Sequence, residues 1–179
     1  VNRQDAAGYA IVGCYEASAQ EEVPCSCASR MSLPKALEVT LHGGKDGMSE
    51  LMLGHAVPAD FDSFEALYQA FLANVKLFAD QSMEMTDYYE KHYPMVHASP
   101  FFSACLSSCV ENGGDAYADY AARYNNTSVN AIGLGTVVDS LYAIRKLVYE
   151  DHRLSLQELV QILDNNWEGQ EVLRGIIRN

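Results

Sequence analysis

Basic side chains are scarce in this sequence. Twelve Lys and Arg stand against 24 Asp and Glu, a net charge of −12 over 179 residues. Nucleic-acid binding needs clustered cations to neutralise phosphates, so that class of partner is excluded. The acidic residues are scattered and read as a solvated surface that aids solubility. Long apolar runs are missing too. None approaches the roughly 18–20 residues of a membrane span, and no charged-then-apolar leader opens the chain. No repeat or low-complexity linker interrupts it. Metal-ligand spacing is also lacking. The close pairs among five cysteines are Cys25 with Cys27 and Cys105 with Cys109, and neither has the Cys-x2-Cys or His spacing that zinc uses, so no metal site is expected. His42, His55, His92, His97 and His152 show no i, i+4 pairing and read as surface or capping residues.

What remains is the composition of a packed domain, with 49% hydrophobic and 20% charged residues. A chain of this length buries roughly two thirds of its unfolded surface. Free thiols in a reducing cytosol are the expected state of the cysteines.

Periodicity and capping signals predict one helix-rich unit with one or two short strands. Tyr9-Ala10-Ile11-Val12 reads as a strand that breaks at Gly13. Residues 17–30 are small and polar and read as a loop. Ser32 as N-cap, Pro34 in the first turn and Gly43-Gly44 as the stop delimit a helix over 33–42. Leu51-Met52-Leu53 reads as a possible second strand. Asp62-Ser63-Phe64-Glu65 resembles a capping box and opens a long helix to about His92. Its buried stripe is Phe64, Leu67, Phe71, Val75 and Phe78, extended by Met83 and Met85. Ser99-Pro100 opens a further helix that Gly113-Gly114 ends, with Cys105 and Cys109 on one face. Val137, Leu141, Ile144 and Val148 mark another apolar face. A second capping box at Ser155–Glu158 starts a helix through Leu163, and a last helical segment follows Glu168.

The segment Gly13-Cys14-Tyr15-Glu16 puts a thiol and a carboxylate two residues apart at the tip of the first strand. A thiol that starts chemistry and a carboxylate that moves protons are a usable pair. Taken without context, such a Cys is a small buried hydrophobe and such a Glu a solvated loop carboxylate.

The wider chain resembles the pyruvate formate-lyase-like, or glycyl radical, enzymes. Gly13-Cys14-Tyr15-Glu16 is similar to that family's Gly-Cys-Val-Glu thiyl-radical loop. Leu33-Pro34-Lys35-Ala36-Leu37-Glu38, closed by Gly43-Gly44-Lys45-Asp46, resembles the helix after the loop. Ser99-Pro100-Phe101-Phe102-Ser103-Ala104 resembles the Pro-Phe-x-Ser block, and Ala122-Arg123-Tyr124-Asn125 the Gly-Gly-Ala-Arg-Tyr-Asn element. Gly133-Leu134-Gly135-Thr136-Val137-Val138-Asp139-Ser140-Leu141 and Asp164-Asn165-Asn166-Trp167-Glu168-Gly169 resemble two further blocks.

This resemblance implies a helix-dominated α/β fold, a fragment of the ten-stranded α/β barrel of such enzymes. Residues 1–179 would be part of the catalytic domain. Both chain ends read as cuts, and the C-terminal glycyl radical domain, with its Arg-Val-x-Gly-Tyr loop, is expected elsewhere. Cys14 would carry the thiyl radical, Glu16 would act as general acid/base, and Tyr15 would line the substrate pocket. The implied function is an anaerobic C–X lyase, a dehydratase or decarboxylase acting on a small polar substrate. Two alternatives stand: the formate acetyltransferase-type acyl-transfer branch and a non-catalytic structural fragment. Acyl transfer is disfavoured because Tyr15 occupies the position of the second cysteine that carries the acyl group. The fragment alone is expected to be inactive and to bind no cofactor. The glycyl radical would be installed by an S-adenosylmethionine/iron–sulfur activase. Expected partners are the substrate, that activase, the rest of the chain and a second copy in a homodimer, in an anaerobic bacterial cytosol or microcompartment. Arg123 has two readings, an anchor for a substrate carboxylate or a structural contact with nearby backbone.

Overall fold

The computed structural model describes residues 3–12, 16–19, 29–58, 60–118, 120–124 and 128–178. These residues form eight α-helices, one π-helical stretch and four short strands. Helix dominates, as expected, and the strand count exceeds the one or two anticipated. α1 (Arg3–Ala7) leads into β1 (Tyr9–Val12), which pairs antiparallel with β2 (Glu16–Ala19). β3 (Ser29–Ser32) pairs with β4 (Val129–Ile132) in a second two-stranded sheet. β2 and the start of β3 fall in the 17–30 stretch read as loop, and β4 lies where no element was expected. Small and polar residues satisfy a strand when a neighbour supplies the ladder, so tertiary pairing overrides weak local propensity there. Leu51–Leu53 forms no strand and contributes only an isolated bridge between Lys45 and Met52.

The chain divides into two units rather than one. The first combines residues 1–30 with 81–130, the second 31–80 with 131–179. α3 (Phe64–Val96) supplies residues to both. Its N-cap is Ser63, whose hydroxyl accepts from the Ala66 amide at 3.2 Å, whereas Glu65 turns outward to Gln69. The helix runs four residues past His92 and holds Pro94 two residues before its last residue, so little helix remains beyond the ring to be disrupted.

In the second unit, α2 (Leu33–Leu41) starts where Ser32 accepts from the Lys35 amide and stops before Gly43 and Gly44, both at positive φ. α6 (Leu134–Ile144) continues into the π-helical stretch Arg145–Glu150, and α7 (Leu156–Asp164) carries the expected Ser155–Glu158 capping box. α8 (Glu171–Arg178) follows. Leu37, Leu41, Leu67, Phe71, Val137, Leu141, Ile144, Val148 and Leu159 form one buried cluster, with Phe64, Val75 and Phe78 packed against it. Each such side chain contributes about 1.5–3 kcal/mol by leaving water. Met83 and Met85 are more than half exposed and do not extend this stripe. Among the polar groups Asn74 is fully buried. Its Nδ2 donates to Thr40 Oγ1 at 2.9 Å, and its Oδ1 accepts from the His55 amide at 2.8 Å.

In the first unit, the helix expected from Ser99 is two: α4 (Pro100–Ser103) and α5 (Ser107–Asn112). The break at 104–106 separates the paired thiols. Cys105 is exposed, while Cys109 packs into a small cluster with Leu106, Ala116, Ala118, Ala121 and Ala122. Gly113 ends α5 in the left-handed conformation, φ 64°. No helix among the described residues is long and apolar enough to cross a membrane.

Candidate functional site

The β1–β2 register pairs Tyr9 with Ala19, Ala10 with Ser18, Ile11 with Ala17 and Val12 with Glu16. Glu16 therefore opens β2 directly opposite the end of β1. Three residues, Gly13, Cys14 and Tyr15, join these paired ends. Cys14 and Tyr15 lie outside the described residues, and of Glu16 only the backbone is described. Two residues of chain span at most about 7 Å between Cα atoms.

Four residues before β1, Asp5 on α1 is held from the side of the Arg123-Tyr124 block. The Tyr124 hydroxyl donates to Asp5 Oδ2 at 2.7 Å, and Arg123 Nη1 lies 3.3 Å from both carboxylate oxygens. The Tyr124 hydrogen bond first and the Arg123 guanidinium after it lower the Asp5 pKa, outweighing the opposing effect of burial. Arg123 does meet a carboxylate, but it is Asp5 of the same chain. Its backbone amide donates to Ser108 Oγ at 3.0 Å, and Asn112 Nδ2 donates to Ala121 O at 3.0 Å. The segment is thereby fastened to α5. The Ser99 block is fastened similarly: Asp115 Oδ2 accepts from the Ser99 amide at 2.6 Å, and Ser103 Oγ accepts from the Ala116 amide at 2.9 Å.

In the second unit three more of the recognised blocks meet. A Cβ on Gly133 would fall 2.6 Å from Pro34 Cδ, so the N-terminus of α6 sits directly on the first turn of α2. His42, at the end of α2, faces acceptors with both ring nitrogens: Glu38 O is 2.7 Å from Nδ1 and Asp164 Oδ1 is 2.9 Å from Nε2. Burial lowers the His42 pKa, but the bonds to the Glu38 carbonyl and the Asp164 carboxylate outweigh it, and the net shift is upward. Sequence spacing gave this histidine no acidic partner because the partner lies 122 positions away. Beside it, Asp46 accepts from Lys35 Nζ at 2.8 Å and from Ser49 Oγ at 2.6 Å, which holds its carboxyl well below the usual range. An open groove of about 950 Å³ runs past Leu37, Leu41, His42, Leu159, Asp164 and Trp167. Among the described residues, no group of three or more His, Cys, Asp or Glu is placed to hold a metal ion.

The pair Asp5 and Tyr124 and the pair His42 and Asp164 were not singled out from sequence. Neither partner is within the reach of a helical or strand period, and no local signal marks them.

Comparison with known proteins covers the whole chain. A family model described as pyruvate formate lyase-like matches residues 1–179. Trans-4-hydroxy-L-proline dehydratase of Clostridioides difficile is 32% identical over 173 residues, covering 93% of this chain and 21% of that protein. Isethionate sulfite-lyase of Oleidesulfovibrio alaskensis is 29% identical over 185 residues, covering 98% of this chain and 22% of that protein. The crystal structure of a glycyl radical enzyme from Archaeoglobus fulgidus superposes with a TM-score of 0.82 at 26% identity, over 97% of this chain and 22% of that one. The chain spans about a fifth of the length of the curated relatives it matches.

Proposed function

This chain belongs to the pyruvate formate lyase-like family, and on that premise we propose that it forms part of the catalytic domain of a glycyl radical C–X lyase. Cys14 is the hydrogen-atom carrier and Glu16 the general acid/base. The observation that supports the reading is the Val12–Glu16 pairing, which sets the Glu16 backbone opposite the end of β1. Relatives that cleave C–O and C–S bonds, as their names say, support the lyase class over acyl transfer. So does Tyr15, which has no thiol to hold an acyl group and instead lines the pocket with its ring.

A glycyl radical in another part of the protein, installed by an S-adenosylmethionine/iron–sulfur activase, would take the hydrogen atom from the Cys14 thiol, a C–H bond forming as S–H breaks, and leave the unpaired electron on sulfur. Cys14 then takes a hydrogen atom from a substrate carbon, forming S–H as C–H breaks. The two bonds are close in strength, so the transfer is reversible. Glu16 takes a proton from the heteroatom on that carbon, and the leaving group departs from the neighbouring carbon with its bonding pair. Cys14 returns the hydrogen atom to the product radical. No net oxidant is consumed. The substrate is a small polar molecule with a heteroatom on each of two adjacent carbons. The working protein is a cytosolic homodimer that includes the rest of the polypeptide, and residues 1–179 alone are inactive.

The test is made in the complete, activated protein. Cys14→Ser should abolish turnover while the glycyl signal in electron paramagnetic resonance persists, because an O–H bond is too strong to be cleaved in this exchange. Glu16→Gln keeps size and hydrogen bonding but removes the base, and should lose about 100-fold or more. Turnover by Cys14→Ser at the normal rate would refute the radical reading. Activity of Glu16→Gln near the parent level would remove base-assisted elimination. Residues 1–179 treated with the activase should give no glycyl signal.

A further inference from the structure

We propose that Asp5, clamped by Tyr124 and Arg123, is a positioning residue that sets where β1 delivers the Cys14 thiol. This rests on the reading of Cys14 as the radical carrier.

The strand β1 is short. It ends two residues before Cys14, pairs with β2 and is joined on its N-terminal side to α1. That attachment is tight, because the Gly8 amide donates to Asp5 O at 3.1 Å and Tyr9 begins the strand at once. Whatever fixes Asp5 therefore fixes the start of β1. Asp5 is fixed by side-chain bonds rather than by apolar packing, since no residue of α1 is buried. Its carboxylate accepts the short Tyr124 hydrogen bond and faces Arg123, an ionic contact 88% removed from solvent on the Asp5 side, where 12% of the side chain stays exposed.

The other end of the clamp is itself immobilised. Ala121 and Ala122 are buried against α5, the Arg123 amide donates to Ser108 Oγ, and Asn112 bonds Ala121 O. A charge-assisted bond between a fixed post and the residue that launches the strand is a means of holding a reactive atom to within a fraction of an ångström. Arg123, read from sequence as an anchor for a substrate carboxylate or as a backbone contact, is in this arrangement part of the post.

A positioning role separates from a general folding role in the kinetics. If the clamp aims the thiol, loosening it should slow hydrogen-atom transfer without changing substrate binding. In the complete, activated protein, Tyr124→Phe and Asp5→Asn should each lower kcat about tenfold or more at unchanged KM. The deuterium isotope effect from substrate labelled at the abstracted hydrogen should rise, and the glycyl radical content measured by electron paramagnetic resonance should stay at the parent level. Asp5→Asn still offers Tyr124 an acceptor and should be milder than Asp5→Ala. The Asp5→Ala and Tyr124→Phe effects on kcat should fall short of additive, because both cut one bond. Should Asp5→Ala fail to fold, Asp5→Asn and Tyr124→Phe carry the test. Parent kcat and isotope effect in both of these, with Cys14→Ser inactive, would overturn the positioning role and leave the radical reading standing. A rise in KM at unchanged kcat would overturn it as well, by assigning the clamp to binding. Normal turnover in Cys14→Ser would instead remove the reading on which the proposal rests.

Discussion

Asn74→Ala deletes an amide that is fully buried and engaged at both ends. In the native protein Asn74 Oδ1 accepts from the His55 amide at 2.8 Å, Nδ2 donates to Thr40 Oγ1 at 2.9 Å, and Thr40 Oγ1 donates onward to Ala36 O at 2.7 Å. The network thus ties the loop after Gly54 to α2 and α3. With Ala at position 74 the His55 N–H loses its acceptor, a cost of about 1–3 kcal/mol if the site stays dry. Thr40 keeps its bond to Ala36 and forfeits only the incoming donor, about 0.5–1.5 kcal/mol. His55 borders solvent, so water entering the vacated space will recover part of the first term. The expected net loss is about 1–4 kcal/mol, which lowers the thermal midpoint of a chain this size by roughly 2–16 °C. Two measurements check it. The His55 amide should lose protection from hydrogen exchange, and the unfolding midpoint should fall by that amount. Asn74→Asp, which keeps an acceptor for His55 but buries a charge opposite the Thr40 oxygen, should be worse at neutral pH and recover as acid neutralises it. Unchanged protection at His55 together with a midpoint shift of less than about 2 °C would refute the reasoning.

Two further predictions concern the same unit. Because the folded-state pKa of His42 is raised, its pairing with the Glu38 carbonyl and Asp164 stabilises fully below the unfolded value of about 6.5, and is lost as pH rises through the higher folded value. The stability difference between the parent and His42→Gln should therefore shrink from pH 6 to pH 8 in denaturant titrations, and a His42 resonance titrating at or below 6.5 would contradict this. Gly54→Ala places a Cβ 2.5 Å from Val39 Cγ1 and 2.7 Å from Asn74 Oδ1, two fully buried side chains that have no room to retreat. It should cost about 1–3 kcal/mol by overpacking, and adding Val39→Ala should yield a double mutant less destabilised than the sum by about 0.5 kcal/mol or more; strict additivity would show that the neighbour is not the obstacle.

Sequence periodicity located the elements that earn their place by apolar burial. The stripe through Leu67 and Phe71, the face through Val137, Leu141, Ile144 and Val148, and the Ser155 capping box all depend on residues within four positions of one another. It missed β2, whose residues are small or polar and which the adjoining β1 supplies with a ladder, and it missed β3 and β4, which pair across about a hundred residues of sequence. It also overran the helix from Ser99. The break at 104–106 leaves Cys105 exposed and Cys109 buried, a division that i, i+4 spacing alone does not foresee. Met83 and Met85 fit the helical period yet face solvent, since a period marks a face without saying how far along the helix that face stays covered.

The part of the candidate site proposed from sequence is local. Cys14 and Glu16 lie within four residues of Gly13, and a motif of that length can be read without a fold. Asp5 could not be found in this way, because its partners stand 118 and 119 positions away and are recognised only once the chain has closed on itself. The way the blocks gather then separates two kinds of demand. In the first unit Asp5 meets Arg123 and Tyr124, and Ser99 and Ser103 meet Asp115, all through polar side-chain contacts with directional geometry. In the second, Pro34 meets Gly133 by close van der Waals approach, and the apolar faces of α2, α6 and α7 share one cluster. Apolar packing tolerates small displacements at a modest free-energy cost, whereas a hydrogen bond weakens steeply with angle. Polar tethers are thus the better device for fixing a strand that aims a reactive atom, and apolar contacts for making the domain stable. Conservative substitutions at the first set should therefore register in kcat before they register in the unfolding midpoint, and those at the second set in the reverse order.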